Sequence, residues 1–395
     1  MAPRSKPARA ANRDLARTRP FYLIGHNTNT MEMIRHGLRN GLNAFELDIN
    51  KDQHDKLYVA HDPVNTAQSG RYYEPPPEIA PFFTELRALL ASPEGKSIAL
   101  LLFDVKFASA ELARTLLQEV RTRLTDQGTF LPVIFSTAFL EDAKSLFKGL
   151  PGTLTDREGL MIDQEANASK VAEYFAKEQF SRGCYGDGLS TIPPFGIGLP
   201  TPNLPSEFDL AVALKALGQL TFLYPWVLVQ ASTMREFIRI GVDGILVDVG
   251  GSASTLAEVV ADSGSVRPAV RGDDPFRKSP SPVTLEVVTG DVATAGTDSQ
   301  VTLTLDLRNG TKAKRVVDGD RAGRFERGTS TSVTLLDLNV ELEDIVAISV
   351  THDGGGWATD WNLDRIHLRQ RDKAQRSCLF GKWINRGKSV RRLVT

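Results

Sequence analysis

Two histidines, three carboxylates and a lysine stand at or just past the ends of short apolar runs, and together they could hold a divalent cation and move protons. The runs are FYLIGH (21–26), AFELDI (44–49), LYVAHD (57–62) and SIALLLFDVK (97–106), which supply His26, Glu46, Asp48, His61, Asp104 and Lys106. A strand that stays apolar until its last residues turns its polar end out of a core, and in parallel α/β barrels that end carries the active site. Glu46 and Asp48 are two apart, so on a strand they leave the same face, and Asp104 would join them from the next barrel strand. Three hard oxygen ligands suit Mg²⁺, which keeps open positions for water and phosphate oxygens and neutralises charge during displacement. Lys106 would set an ammonium beside the same phosphate, or else pair with a ligand carboxylate. His26 and His61 fit the two proton transfers of phosphodiester cleavage, one activating the attacking oxygen and the other protonating the leaving alcohol. His36, in a predicted helix, and His54, in the polar turn KDQHDK, read as surface residues.

The elements that must position these groups follow from hydrophobic patterning. Between residues 20 and 262, short branched apolar runs alternate with longer segments of helical spacing, which predicts βαβ units and a parallel sheet. Strands are expected at 21–26, 44–49, 97–105, 132–137, 159–163, 184–189, 221–229 and 243–248, with helices such as 108–125, 166–180 and 232–240. Eight strands fit a (β/α)8 TIM-type barrel. Leu112, Leu116, Leu117, Val120 and Leu124 recur at helical spacing, so their segment reads as a barrel-packing helix without chemistry. Periodicity disappears over 263–281, which reads as a linker. From 282 to 395, β-branched runs such as VTLEVV, VTLTLDL, TSVTLLDL and IVAISV alternate in polarity between Gly, Asn and Asp turns, as in an antiparallel β-sandwich.

At 395 residues, with 41% hydrophobic and 24% charged residues, the chain exceeds one ordinary domain. Its formal net charge of -1 excludes a strongly basic nucleic-acid binder. Residues 1–19 hold six basic side chains against Asp14 and read as a disordered, solvated tail, although basic ends can also attract anionic lipid. No run approaches the roughly 18 apolar residues of a membrane span, and no secretory signal is visible. The chain is therefore expected to be cytoplasmic, or secreted if a leader was removed. Cys184 and Cys378 fall in different expected domains, so no disulfide framework is expected.

The order GHNTNT with His26 and Asn29, then FELD, AHD with His61, FDVK, YGDG (185–188), YPWVLV with Trp226 and GVDGILVD ending at Asp248 resembles the spider-venom sphingomyelinase D or phospholipase D toxins. Those toxins are a branch of the glycerophosphodiester phosphodiesterase-like barrels. The resemblance spans most of residues 20–250. It implies that His26 and His61 are the acid/base pair and that Glu46, Asp48 and Asp104 bind Mg²⁺. It further implies that Lys106, Trp226, Asn29 and Asp248 meet substrate, Trp226 on the choline side. The toxins carry cysteines in the loop after the second histidine, where this chain has DPVNTAQSGRYYEPPP. The adjacent His61 and Asp62 are closer to ordinary glycerophosphodiesterases, whereas H-N-T and D-x-K fit the toxin branch.

TGDVATAGTDSQVTLTL (289–305), FERGTSTSVTL (325–335), VTHDGGGWATDWNLDRIHL (350–368) and SCLFGKWI (377–384) resemble, in order, the PLAT or LH2 sandwich. That resemblance implies docking to a membrane surface or partner, with Trp357 and Trp361 as interfacial aromatics unless Trp361 is core, and Ca²⁺ near Asp298 and Asp353 unless these are turn residues. The combined expectation is a Mg²⁺-dependent phosphodiesterase that releases the headgroup alcohol of sphingomyelin or lysophospholipids by attack of the lipid's own hydroxyl. Two alternatives stand beside it: hydrolysis of soluble deacylated headgroups, and a non-catalytic lipid-binding barrel.

Overall fold

The computed structural model describes residues 19–64, 76–125, 131–165, 167–192, 197–200, 204–277, 283–308, 310–317, 319, 324–335, 340–354, 360–371 and 373–395. The chain divides into two compact units at Lys278/Ser279.

In the first unit the strands are β1 (Arg19–His26), β2 (Ala44–Lys51), β3 (Leu57–Val59), β4 (Leu100–Val105), β5 (Val133–Thr137), β6 (Glu158–Ile162), β7 (Gly183–Ile192), β8 (Ile197–Pro200), β9 (Phe222–Trp226), β10 (Gly244–Asp248) and β11 (Val266–Pro268). Parallel pairing runs β10-β1-β2-β4-β5-β6-β7-β9. Backbone hydrogen bonds from Asp243 to Leu223 (2.8 Å) and from Leu228 to Leu246 (3.2 Å) join β9 to β10 and close the ring. Each of these eight strands leads to a helix: α1 (Met31–Arg39), α2 (Ile79–Ala91), α3 (Ala110–Val120), α4 (Leu140–Leu146), α5 (Ala168–Lys177), α6 (Leu204–Ala216), α7 (Ala231–Ile240) and α8 (Ser252–Ser263). This is a (β/α)8 barrel.

Strand alternation sorts side chains between two cores. Phe21, Leu23, Phe45, Leu47, Leu101, Phe103 and Phe135 pack outward with the helices. Tyr22, Ile24, Ala44, Leu100, Leu102, Ile134, Met161, Cys184, Phe222, Tyr224 and Leu246 fill the barrel interior. Continuing each interior series toward the strand's carboxyl end reaches His26, Glu46 and Asp48, Asp104, Ser136, Asp163, Trp226 and Asp248.

Several expectations need correction. His61 does not stand at the end of a parallel strand: LYVAHD, outside the eight expected barrel strands, supplies β3, which pairs antiparallel with β2 as a side hairpin because β2 continues past the barrel to Lys51. The helix expected over 108–125 ends as α-helix at Val120 and finishes in one wider turn, Arg121–Thr125. The expected linker 263–281 is folded in its first part. There β11 pairs with β1, Arg267 grips Asp273 through two 2.7 Å bonds, and Arg271 reaches the carbonyls of Leu90, Gly95 and Ile98. Phe276 then enters the barrel-interior cluster. A polar, proline-bearing stretch conceals such order because guanidinium-to-carbonyl bonds leave no hydrophobic period. The expected tail over 1–19 lies outside the described residues except Arg19, which opens β1.

The second unit comprises β12 (Val283–Thr289), β13 (Val301–Leu307), β14 (Lys312–Val317), β15 (Ser330–Leu335), β16 (Ile345–His352), β17 (Asp360–Arg369), β18 (Arg376–Asn385) and β19 (Val390–Leu393). Two antiparallel sheets, β15-β12-β17-β18 and β14-β13-β16-β19, form a sandwich. Their alternating inward residues share one core around Trp361, which is fully buried against Phe325 and donates to Thr289 Oγ1 at 3.2 Å. Trp361 is thus core and not interfacial; Trp357 lies outside the described residues. Among the described residues no helix is long and apolar enough to cross a membrane.

Candidate active site

The carboxyl ends of β2 and β4 bring Glu46, Asp48 and Asp104 together, with one ligating oxygen from each lying within 4.8 Å of the others and all three residues buried. Register explains the meeting, since Asp48 pairs directly with Asp104 and both follow the interior parity of their strands. The loop after β1 clips onto β2. Asn27, in a left-handed conformation (φ 52°), donates its N–H to Glu46 Oε2 at 2.8 Å, while Thr28 caps the Glu46 carbonyl.

Asn29 spends both ends of its amide on Asp48: Nδ2 donates to Oδ2 at 2.7 Å, and Oδ1 accepts from the Asp48 N–H at 2.9 Å. Asn29 was expected to meet substrate. In the structure it clamps a buried carboxylate and aims that group's remaining oxygen.

Lys106 Nζ bonds Asp104 Oδ2 and lies 3.0 Å from Asp48 Oδ1, at an angle that makes no hydrogen bond. Asp48 Oδ1 is therefore buried without a hydrogen bond, its charge met at 3.0 Å by an ammonium that Asp104 shares, and such a group gains from a further donor or cation. Burial pushes Glu46 well above the usual carboxylate range, and the charges of Asp48 and Asp104 push the same way. Burial also raises Asp104, against the pull of Lys106. Burial disfavours the Lys106 charge, yet Asp104 and Asp48 outweigh it and hold the ammonium above the ordinary lysine range. An all-oxygen donor set, excess negative charge and a buried oxygen without a hydrogen bond together fit a hard divalent cation such as Mg²⁺.

Both candidate histidines are held by carboxylates. His26 stands in register with Asp248, and its Nδ1 lies 3.1 Å from Asp248 Oδ1. That bond lowers the Asp248 carboxyl below its usual range. His61 Nδ1 lies 3.1 Å from Asp62 Oδ1, and the His61 charge acts on Asp104. An ionised carboxylate only accepts, so each Nδ1 is the donor and each Nε2 is left as the reactive nitrogen. Asp248, expected to bind substrate, orients His26.

Trp226 donates its indole N–H to the Asp163 carbonyl at 2.6 Å. Glycine is required beside it, because a Cβ on Gly188 would lie 1.7 Å from the Trp226 carbonyl oxygen and 2.4 Å from its indole. Asp163 itself escaped the sequence reading. It is buried just past β6, accepts from Tyr224 at 3.1 Å and Ser136 at 3.4 Å, and is pushed up to about 8, first by burial and then by the Asp104 charge. The signal was present, since GLMID ends an apolar run as LLLFD does. In the sandwich, Asp298 and Asp353 are exposed and join no group of three ligating side chains among the described residues; Asp353 Oδ1 accepts from the Gln300 N–H at 3.1 Å. That bond fits the turn role.

A parallel barrel whose mouth gathers three buried carboxylates, a lysine and two carboxylate-held imidazoles defines a phosphodiesterase-type enzyme. Residues 16–276 match the dermonecrotic toxin SPH family, and the chain belongs to it. Residues 283–393 match the PLAT/LH2 domain. Dermonecrotic toxin Hl-PLD1 of Hemiscorpius lepturus is 24% identical over 287 residues, covering 67% of this chain and 86% of the toxin. LiSicTox-alphaIA1bii of Loxosceles intermedia is 24% identical over 294 residues, covering 68% and 91%. Lipoxygenase homology domain-containing protein 1 of Homo sapiens is 30% identical over 115 residues, 28% of this chain, and the match spans only 5% of that protein. Among solved structures, a putative glycerophosphoryl diester phosphodiesterase from Silicibacter pomeroyi shares 14% identity over 65% of this chain and 99% of its own, at a TM-score of 0.44. The enzyme is a phospholipase D-type phosphodiesterase.

Proposed function

We propose that the enzyme releases the headgroup alcohol from sphingomyelin or a lysophospholipid by internal transfer. The lipid's free hydroxyl oxygen bonds to phosphorus, one histidine takes the hydroxyl proton, the bond from phosphorus to the headgroup oxygen breaks, and the other histidine protonates that oxygen. The products are a cyclic phosphate and the headgroup alcohol. The observation that carries this reading is the pair of imidazoles, each fixed through Nδ1 by its own carboxylate, at the barrel end that also gathers the acidic triad.

Glu46, Asp48 and Asp104 would hold Mg²⁺, which when bound supplies positive charge against the phosphate oxygens. Asn29 keeps the Asp48 carboxylate aimed, and Lys106 brings an ammonium to the same place. Trp226, with its N–H committed to Asp163, offers an aromatic surface suited to a choline cation. An internal nucleophile avoids the entropy of capturing water, which favours transfer over hydrolysis wherever the substrate carries that hydroxyl. The PLAT/LH2 unit suits an enzyme whose substrate lies in a lipid surface, and we assign it peripheral membrane docking.

Phosphorus NMR of the products from sphingomyelin, lysophosphatidylcholine and glycerophosphocholine, with and without Mg²⁺, tests the reading. The expected result is a cyclic phosphate from the first two, dependent on Mg²⁺. Incorporation of ¹⁸O from water into the first-formed product, or preferential turnover of glycerophosphocholine, would replace it with direct hydrolysis of soluble headgroups.

A further inference from the structure

In the sandwich, β18 is the last strand of its sheet, paired along its length with β17 and bonded on its other edge to Thr395 at Ser377 (3.0 and 2.9 Å). Cys378, Phe380 and Ile384 point from it into the core. By alternation Leu379, Gly381 and Trp383 point outward. Leu379 is 65% exposed and Trp383 40% exposed, a large apolar pair left in water on one face. Gly381 between them adopts φ 57°, which suits glycine, and puts no side chain in the gap. Pairing sets Leu379 opposite Arg365 and Trp383 opposite Asn362.

The charge around this pair is one-sided. From Arg376 to Thr395 the chain has six cationic residues and no acid. Arg376 turns to the carbonyls of Leu342, Ile345 and Val394, and Arg391 pairs with Asp306. Lys382 pairs with core Leu363 and so leaves the opposite side of β18 from Trp383, whereas Arg386 and Lys388, in the turn that follows, have no carboxylate partner among the described residues; the Arg386 guanidinium meets the Asp353 carbonyl.

We propose that the outer face of β18 with its following turn is the surface by which this protein docks on an anionic lipid surface. Leu379 and Trp383 enter the headgroup region, and Arg386 and Lys388 meet the lipid phosphates and carboxylates. A lone aromatic next to unpaired cations fits that boundary, where an amphipathic indole rests at headgroup depth and each basic residue gains from the negative surface. The proposal rests on the reading that the substrate is a membrane lipid.

Co-sedimentation of the full chain with vesicles of phosphatidylcholine alone, and of phosphatidylcholine with phosphatidylserine, tests it. Binding is expected on the anionic vesicles and should weaken as salt rises. A Leu379→Ser/Trp383→Ser variant should bind about tenfold more weakly or worse, since two apolar groups no longer leave water. An Arg386→Glu/Lys388→Glu variant should lose the preference for anionic vesicles. Wild-type indifference to anionic vesicles, as for a protein-docking face, or wild-type-like binding by either variant, overturns the proposal. Turnover of a lysophospholipid below its micellar concentration, measured in parallel, should be unchanged in both variants. If that turnover is absent in wild type while vesicle binding holds, the catalytic reading fails and the docking surface stands.

Discussion

Among the described residues, the two ends of the barrel both bury carboxylates beside cations, but only one end leaves its charge unbalanced. At the amino end, Asp243 accepts from Lys215 and from the Leu223 N–H at 2.9 Å, with Arg19 at 3.7 Å. There too Glu158 takes two bonds from Arg121, at 2.8 and 2.6 Å, and one from the Thr155 N–H at 2.7 Å. At the carboxyl end, among the described residues, three carboxylates share the ammonium of Lys106, and Asp48 Oδ1 has no hydrogen bond. Saturated pairs fix a structure. An unsaturated cluster is held in place by the rest of the fold and is available for a cation and an anionic substrate.

The sharpest way to break this contrast is to neutralise one carboxylate at each end. Asp243→Asn strips the anion from buried Lys215 and Arg19, and removing one partner of such a buried pair typically costs about 3–5 kcal/mol. Urea unfolding should show that loss, while the folded fraction keeps its turnover.

Glu46→Gln should behave in the opposite way. It relieves repulsion from Asp48 and Asp104, so unfolding stability in chelator should hold or rise, whereas turnover falls with the loss of metal affinity. Chelation of the wild type should mimic the activity loss, and calorimetric Mg²⁺ titration should show weaker binding in the variant. Full activity after exhaustive chelation would remove the metal from the site.

The histidines extend the comparison within the mouth. His26→Ala and His61→Ala should each lower kcat by about a hundredfold or more, the usual scale for lost acid/base catalysis, with circular dichroism unchanged. Asp248→Asn should cost less than His26→Ala, because it removes the orienting charge but leaves the imidazole. Equal losses in the two variants would give Asp248 a direct part in the reaction.

The difference between the ends also sets what the sequence made legible. Glu46, Asp48, Asp104 and both histidines interrupt apolar runs at strand ends, so single stretches of chain announce them. Arg121 and Glu158 are 37 residues apart, and Lys215 and Asp243 are 28 apart, so no local pattern joins them. The same limit hid the Asn29 clamp on Asp48, which needs the β1 and β2 ends side by side. It also hid the bond from Trp226 to the Asp163 carbonyl. Strand β14 went unseen because KAKRVV, an exposed edge, carries charge on its outward face where a buried strand carries none.

Asp163 gives the finest test, because it belongs to the mouth yet is not among the three grouped carboxylates. Burial and the Asp104 charge raise its carboxyl to about 8, against Lys106 and the hydroxyls of Tyr224 and Ser136. In the unfolded chain it would ionise near the ordinary aspartate value of about 4. Between those limits the native state keeps a proton that the unfolded state has lost, so the native state binds more protons and stability falls as pH rises. Below the lower limit both states are protonated, and above the upper one both are ionised, so the slope from this group is confined to that window. Glu46 and Asp104 are also raised and add slope of the same sign. Asp163→Asn stays neutral and can still accept from Tyr224, so it should keep its acid stability and lose only the Asp163 share of the decline. Urea midpoints at pH 5 and pH 8, in chelator, would read this directly: a smaller drop in the variant supports a protonated Asp163 in the folded enzyme, whereas equal drops would mean that its charge is already balanced, as at the amino end.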